Sequence, residues 1–266
     1  MSFTLKEKKS KDFANGSVYM YETFDEYPIE CTDTFLPYYT KDAIGLKQNK
    51  LKSNNIRSRS ERWMIGVSVM SGCPVGCKFC ATGKMKRCRS LYSEEIVEQV
   101  IRMIEKNDID PSKVKEFKIN YTRMGEPFLN IDNVRKGMMD IDTYLYNTNV
   151  HHYISTIGVK NADYSWIKDN ITLQFSVHSF DEDYRNWLIP YKNKITLEEM
   201  GKIRTKSNLK TTLNLTMARD NDFDIQKMVK YFDKDRFFIK ISPINENSVS
   251  KENEMGKGII KQQNLI

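Results

Sequence analysis

From Trp63 onward, short apolar runs of strand length alternate along the chain with stretches of helical period. This alternation is the signature of repeated βα units around a parallel sheet. The pattern predicts six strands, at 64–69, 116–121, 152–157, 173–178, 211–217 and 237–242. Between the first two, Ile96, Val97, Val100, Ile101 and Ile104 recur at three- and four-residue spacing, with Ser93 placed to cap and Glu94 and Glu95 in the first turn. That predicts a helix with one apolar stripe. Further helices are predicted at 131–144, 162–168, 197–206 and 224–232. Six such units are too few for a closed eight-stranded barrel, so the expected architecture is α/β, an open, partial (β/α)6 barrel with reactive groups gathered where strands end.

The first 62 residues break this rhythm. Tyr19, Tyr21 and Phe24 hint at a strand, residues 47–62 are a polar, basic connector, and the run KEKKSK near the start reads as a disordered tail. The expected organisation is a short N-terminal extension, 1–62, followed by one core domain, 63–266. At 266 residues the chain has ample material for such a core. No stretch reaches the apolar length that crosses a bilayer, and the opening residues MSFTLKEKKSKDF lack a secretory signal's apolar run. A cytoplasmic location without membrane attachment is expected. The formal net charge of +7 suits a nucleic-acid or other anionic partner without requiring one.

The five cysteines change the picture more than the charge does. Cys73, Cys77 and Cys80 lie within SGCPVGCKFCATG, a CxxxCxxC arrangement directly after the first predicted strand, while Cys31 and Cys88 stand apart. Such crowding reads as metal ligation in a reducing compartment rather than as a disulfide framework. A structural zinc or an electron-transfer cluster takes four protein ligands, whereas three cysteines leave one metal position open for a reactant. The alternative is a zinc site completed by Cys88 or a histidine.

The spacing of the three cysteines, the aromatic Phe79 before the last of them and the position after a strand resemble the signature of the radical S-adenosylmethionine (SAM) superfamily. Within it, GCKFCATGK followed by EEIVEQV is similar to the RlmN/Cfr family of ribosomal RNA adenine methyl synthases. The segments MGEPFLNIDNV, STIGV, SVHSFDEDYRNWLIPYKNK and PIN follow in the same order, so the likeness covers about residues 63–245. The resemblance implies a partial barrel of the radical SAM type. It also implies a 4Fe-4S cluster on Cys73, Cys77 and Cys80, with SAM chelated at the open iron and cleaved reductively to a 5′-deoxyadenosyl radical. Gly125 and Glu126 would meet the SAM amino group, with Ser155, Ser176, Val177, His178 and Asn245 as further SAM contacts. An electron donor such as flavodoxin or ferredoxin, and RNA or another anionic substrate, are implied as partners. Read without the family, Glu126 is a turn residue between Gly125 and Pro127, and His178 a core histidine at a strand end.

The sequence also departs from the family. A family cysteine that resolves a protein–RNA crosslink lies seven residues before the first cluster cysteine, and this sequence has Gly66 there. A second, methyl-carrying cysteine belongs near the family's C-terminus, and none follows Cys88 here. Arg123 replaces a usual glycine, and 62 residues are too few for the family's N-terminal helical domain. The expectation is radical chemistry without the family's methyl-synthase route unless other parts complete it. Lys84, Lys86, Arg87 and Arg89 beside the cysteine loop lean toward an anionic substrate.

Overall fold

The computed structural model describes residues 4–35, 40–41, 47–48, 58–218, 221 and 223–256; residues 49–57 of the expected connector lie outside this set. The chain forms two compact units. One comprises Met1–Ser71, Ser90–Met124 and Asn130–Tyr153, the other Gly72–Arg89, Gly125–Leu129 and Ile154–Ile266.

The first unit begins with an antiparallel meander of β1 (Lys6–Phe13), β2 (Gly16–Glu22) and β3 (Pro28–Phe35). β3 then pairs antiparallel with β4 (Arg62–Gly66), and β4 pairs parallel with β5 (Glu116–Tyr121). The lysine-rich run expected to be a disordered tail is therefore a strand. All eight residues of β1 are exposed, so no apolar pattern announces it. It is held by its ladder to β2 and by Lys8–Glu22 and Lys106–Glu7 ion pairs, both 2.8 Å. Just before it, the Glu98 carboxylate accepts from the backbone N–H groups of Thr4 and Leu5. A lysine-rich edge also discourages pairing with a second chain.

Helix α1 (Ser93–Asn107) buries the predicted stripe of Ile96, Val97, Val100, Ile101 and Ile104, and Met103 beside it. Each such side chain contributes about 1.5–3 kcal/mol by leaving water. Its first turn differs from expectation: Ser93 is already helical, and the Glu95 carboxylate takes the backbone N–H of Tyr92 at 2.8 Å. The Ser93 hydroxyl instead accepts from Lys136 on α2 (Ile131–Tyr144).

Gly66, at the carboxyl end of β4, has no room for a side chain. A Cβ there would lie 2.3 Å from Thr32 Oγ1 and 3.0 Å from Arg123 Cδ, and Arg123 is fixed by an ion pair with Glu30. Gly66→Ala is expected to destabilise the protein by about 1–3 kcal/mol through overpacking, measured by denaturant unfolding. Shortening Arg123 does not remove the clash with Thr32, so Gly66→Ala/Arg123→Ala should recover only part of the loss.

Strand β6 (Val150–Thr156) alternates buried and half-buried residues, period two along its length. Its last three residues belong to the second unit, with β7 (Ile171–Ser176), β8 (Thr211–Met217) and β9 (Phe237–Pro243). β7 pairs parallel with β8, and β8 with β9. The fold is thus α/β with parallel strands, as expected. β7 buries five consecutive residues, the mark of a strand covered on both faces.

Three helices close connections in this unit: α3 (Glu182–Leu188), α4 (Leu197–Lys202) and α5 (Ile225–Tyr231), with a short α6 (Ser248–Glu252) after β9. The helix expected at 162–168 is absent. Asn161 adopts φ +62°, the Asp163 carboxylate takes the Ser165 N–H, and the Trp166 indole donates to the Asp163 carbonyl. These local bonds fold the segment into turns, and Tyr164 and Ile167 are buried without a helix. Among the described residues no helix is long and apolar enough to cross a membrane.

Candidate functional site

The cysteine segment, Gly72–Arg89, and every residue expected to touch SAM fall in the second unit. The loop starts at Gly72 with φ +72°, where a Cβ would come within 2.6 Å of the Arg87 carbonyl. Only glycine permits this conformation and this approach. The Cys80 N–H donates to the Cys77 carbonyl, and a 3-10 turn, Ala81–Lys84, follows. Two asparagines that sequence reasoning missed pin the loop from outside. Asn247 Nδ2 donates to the Phe79 carbonyl and Asn253 Nδ2 to the Lys78 carbonyl, both at 2.9 Å. From a third side the Leu188 carbonyl, ending α3, accepts the Lys78 N–H at 2.9 Å.

Cys73, Cys77 and Cys80 are half-buried and Cys88 is exposed; all five cysteines of the chain are free. Burial pushes the Cys73 thiol up to about 12, and the Cys77 thiol well above its ordinary value. The Cys80 and Cys73 sulfurs and Glu126 push Cys77 further in the same direction. The three thiols and Glu126 therefore form one interacting group of acids.

Glu126 follows Gly125, whose φ of +103° is open to glycine alone. Its carboxyl group is buried, and its hydrogen-bond partners are neutral donors: the Phe128 N–H at 3.1 Å, the Ile157 N–H at 2.9 Å and the Thr156 hydroxyl. Burial outweighs those bonds and lifts its pKa to about 7.

His178 is also buried, with a left-handed φ of +61° that a non-glycine residue adopts only where its surroundings enforce it. Its Nδ1 accepts the Thr216 N–H at 3.1 Å, its carbonyl accepts from Asn221, and its ring meets Phe79 edge-on at 4.9 Å. Burial and the neighbouring Arg185 cation depress its pKa to about 3, so it is a neutral imidazole whose Nε2 carries the proton. Ser155 donates to Gln174 Oε1 at 2.9 Å, joining a polar row that includes Asn214. Val177 is buried and its N–H serves the Asn214 carbonyl, whereas Ser176 is half-buried and Asn245 exposed. The structure thus ties Glu126 electrostatically to the thiols and His178 to the loop through Phe79. For Ser155, Ser176 and Asn245 it shows strand-end positions and no direct bond to that cluster.

The chemistry of the donors can be tested against a metal. A single tetrahedral ion needs its ligand atoms to converge at about 2.0–2.3 Å from one point. Among the described residues no three His, Cys, Asp or Glu side chains do so. A cubane, whose irons are bound by separate cysteines, makes no such demand. A cationic iron-sulfur core would also relieve the mutual repulsion of three deprotonated thiols, so the residues present fit that group.

A three-cysteine loop beside a buried acid, set among the carboxyl ends of parallel strands, defines an α/β protein whose candidate site lies at its strand ends. The sequence profile of the radical SAM superfamily matches residues 67–232, and the chain belongs to that superfamily. Relatives include proteins named as the dual-specificity RNA methyltransferase RlmN, which bears out the RlmN-like resemblance. The Helicobacter hepaticus protein is 29% identical over 93% of this chain and 60% of its own length. A probable RlmN of Chlorobium phaeobacteroides is 31% identical over 75% of this chain and 56% of its own length. That of Dictyoglomus turgidum is 35% identical over 54% of this chain and 42% of its own. The chain therefore spans about half the length of these curated relatives. In fold it is similar to a radical SAM methyltransferase from Sphaerobacter thermophilus, with a TM-score of 0.69 and 19% identity over 98% of this chain and 72% of that one.

Proposed function

We propose that this chain holds a 4Fe-4S cluster on Cys73, Cys77 and Cys80, binds SAM against Glu126, and starts radical chemistry on an anionic substrate. Residues 63–266 would be the radical SAM core and 1–62 its extension. The observation that carries the reading is the buried Glu126 carboxyl, which has only neutral partners yet lies within electrostatic reach of Cys73 and Cys77. A bound ammonium beside the thiols is the partner such a carboxylate lacks. When bound, the reduced cluster supplies the electron that cleaves SAM to a 5′-deoxyadenosyl radical and methionine.

The chain's own residues then do the positioning. Gly125 lets the backbone turn so that Glu126 reaches the ligand amine. Ser155, Ser176 and Asn245 at their strand ends would offer polar contacts and Val177 an apolar one, and the neutral His178 meets the loop through its edge-on contact with Phe79 without adding charge. The reductant would be a flavodoxin or ferredoxin, and a cytoplasmic setting would keep the thiols free.

RNA is the substrate class that the names of the relatives favour. Methyl transfer by the RlmN/Cfr route meets an obstacle at Gly66, where the resemblance places a thiol and Thr32 and Arg123 fill the space. Reduced, reconstituted protein incubated with labelled SAM and bulk RNA is expected to yield 5′-deoxyadenosine, while the digested RNA shows no adenine methylated at carbon-2 or carbon-8. A fully loaded protein that forms no 5′-deoxyadenosine overturns the radical reading. Methylated adenine would show instead that the family route runs without a thiol at position 66.

A further inference from the structure

Arg185, on α3, is a fully buried guanidinium that the functions above do not use. Its Nη1 donates to the Ile195 carbonyl at 2.9 Å and its Nη2 to the Ile157 carbonyl at 2.8 Å. Glu182 Oε2 stands 3.7 Å from Nη1, and Nε has no hydrogen-bond partner among the described residues. Two neutral carbonyls account for two edges of the group but not for its charge or its spare donor. An amide would serve those carbonyls without the cost of burying a cation.

What surrounds Arg185 supplies the missing reason. Ile157, whose carbonyl it grips, donates its backbone N–H, in the preceding peptide, to Glu126. One turn further along, the Leu188 carbonyl binds the N–H of Lys78, so the residue after Cys77 rests on the end of α3, and Pro190 just beyond that helix faces Gly76 on the other side of Cys77. The Cys77 sulfur lies within electrostatic reach of the guanidinium. Two other basic groups are near. His178 is neutral, and Lys194 is part-exposed, with its ammonium on the Tyr191 carbonyl. Arg185 is the buried cation of this set.

We propose that Arg185 is a positioning residue that sets the reduction potential of the cluster bound through Cys77, an inference that rests on the cluster reading above. A cubane with three cysteinates is anionic and gains a further negative charge on reduction. A fixed buried cation with a free N–H stabilises the reduced form more, and raises the potential. Glu182, which partly offsets that cation, acts in the opposite sense.

The test is a redox titration followed by EPR on anaerobically reconstituted full-length protein without SAM, with iron per chain and thermal unfolding measured alongside. Arg185→Met is expected to shift the midpoint to more negative potential, and Glu182→Gln to more positive potential. Arg185→Lys, which keeps the charge and loses the two-carbonyl grip, should stay near wild type while unfolding at lower temperature. An unshifted Arg185→Met, or an Arg185→Lys shifted as far as Arg185→Met, overturns the assignment in favour of a purely structural arginine. If Arg185→Met fails to fold, Glu182→Gln decides, and an unchanged midpoint there overturns it. Wild-type protein that takes up no iron overturns the cluster reading itself, a different outcome from a loaded series with equal potentials.

Discussion

Cys77→Ala is expected to leave the anaerobically reconstituted protein colourless, with iron falling from about four per chain to near zero. Cys73→Ala and Cys80→Ala should do the same, because a cubane held at three corners loses its chelate when any one is removed. Cys77 is the sharpest case. Its loop is fixed on three sides, by Leu188, Asn247 and Asn253, so a neighbouring thiol cannot swing into its place. Cys31→Ala serves as the control: that thiol is buried on β3 in the other unit, against the Gln99 carbonyl, and its loss should leave the iron unchanged. Cys88→Ala should also keep the cluster, its thiol being exposed at the far end of the loop. Iron analysis and visible absorbance check all five variants; a colourless wild type holding one zinc would refute the assignment.

Glu126→Gln should act in two opposite directions. With the cluster loaded, SAM binding is expected to weaken by about 1–3 kcal/mol, the range for losing a charge-assisted partner, read from the SAM concentration that perturbs the EPR signal. Without ligand the same substitution should stabilise the protein above neutral pH. The carboxyl's folded pKa of about 7 lies above its ordinary 4.5, so the folded state binds the proton more tightly than the unfolded state. Stability from this group is therefore fully present below pH 4.5 and declines as pH rises through 7. The loss amounts to roughly 3 kcal/mol for a fully buried group. The glutamine does not titrate, so the stability difference between variant and wild type should grow across that window and level off above it. Denaturant unfolding at pH 5 and pH 8 measures it; equal differences at the two pH values would mean that Glu126 is already ionised by a partner.

Much of the fold was legible because its signals are local. The apolar stripe of α1 and the period of β6 reflect which face each element must bury, and that is written in residue spacing. Strand β1 was not legible, since an all-exposed strand has no burial pattern and is held by its ladder to the next strand and by ion pairs, one of them from α1. Helix α3 was missed for a different reason. It is seven residues long, too short for periodicity to show, although Asp181 followed by Glu182 and Asp183 is a readable start signal, and Asp181 does cap it.

The sequence by itself determined the chemistry on offer: three cysteines at a spacing one loop can present, a glycine before Glu126, and the βα order that carries both to strand ends. Residue type and short-range spacing suffice for that, because the thiols belong to a single loop. Only the tertiary structure decided the electrostatics. Burial, which spacing does not encode, lifts Glu126 toward neutrality against its bonds from Thr156 and Ile157, keeps His178 neutral beside Arg185, and leaves Arg185 enclosed with a spare donor. The filling of the space at Gly66 by Thr32 and Arg123, from two different strand regions, is likewise a product of packing.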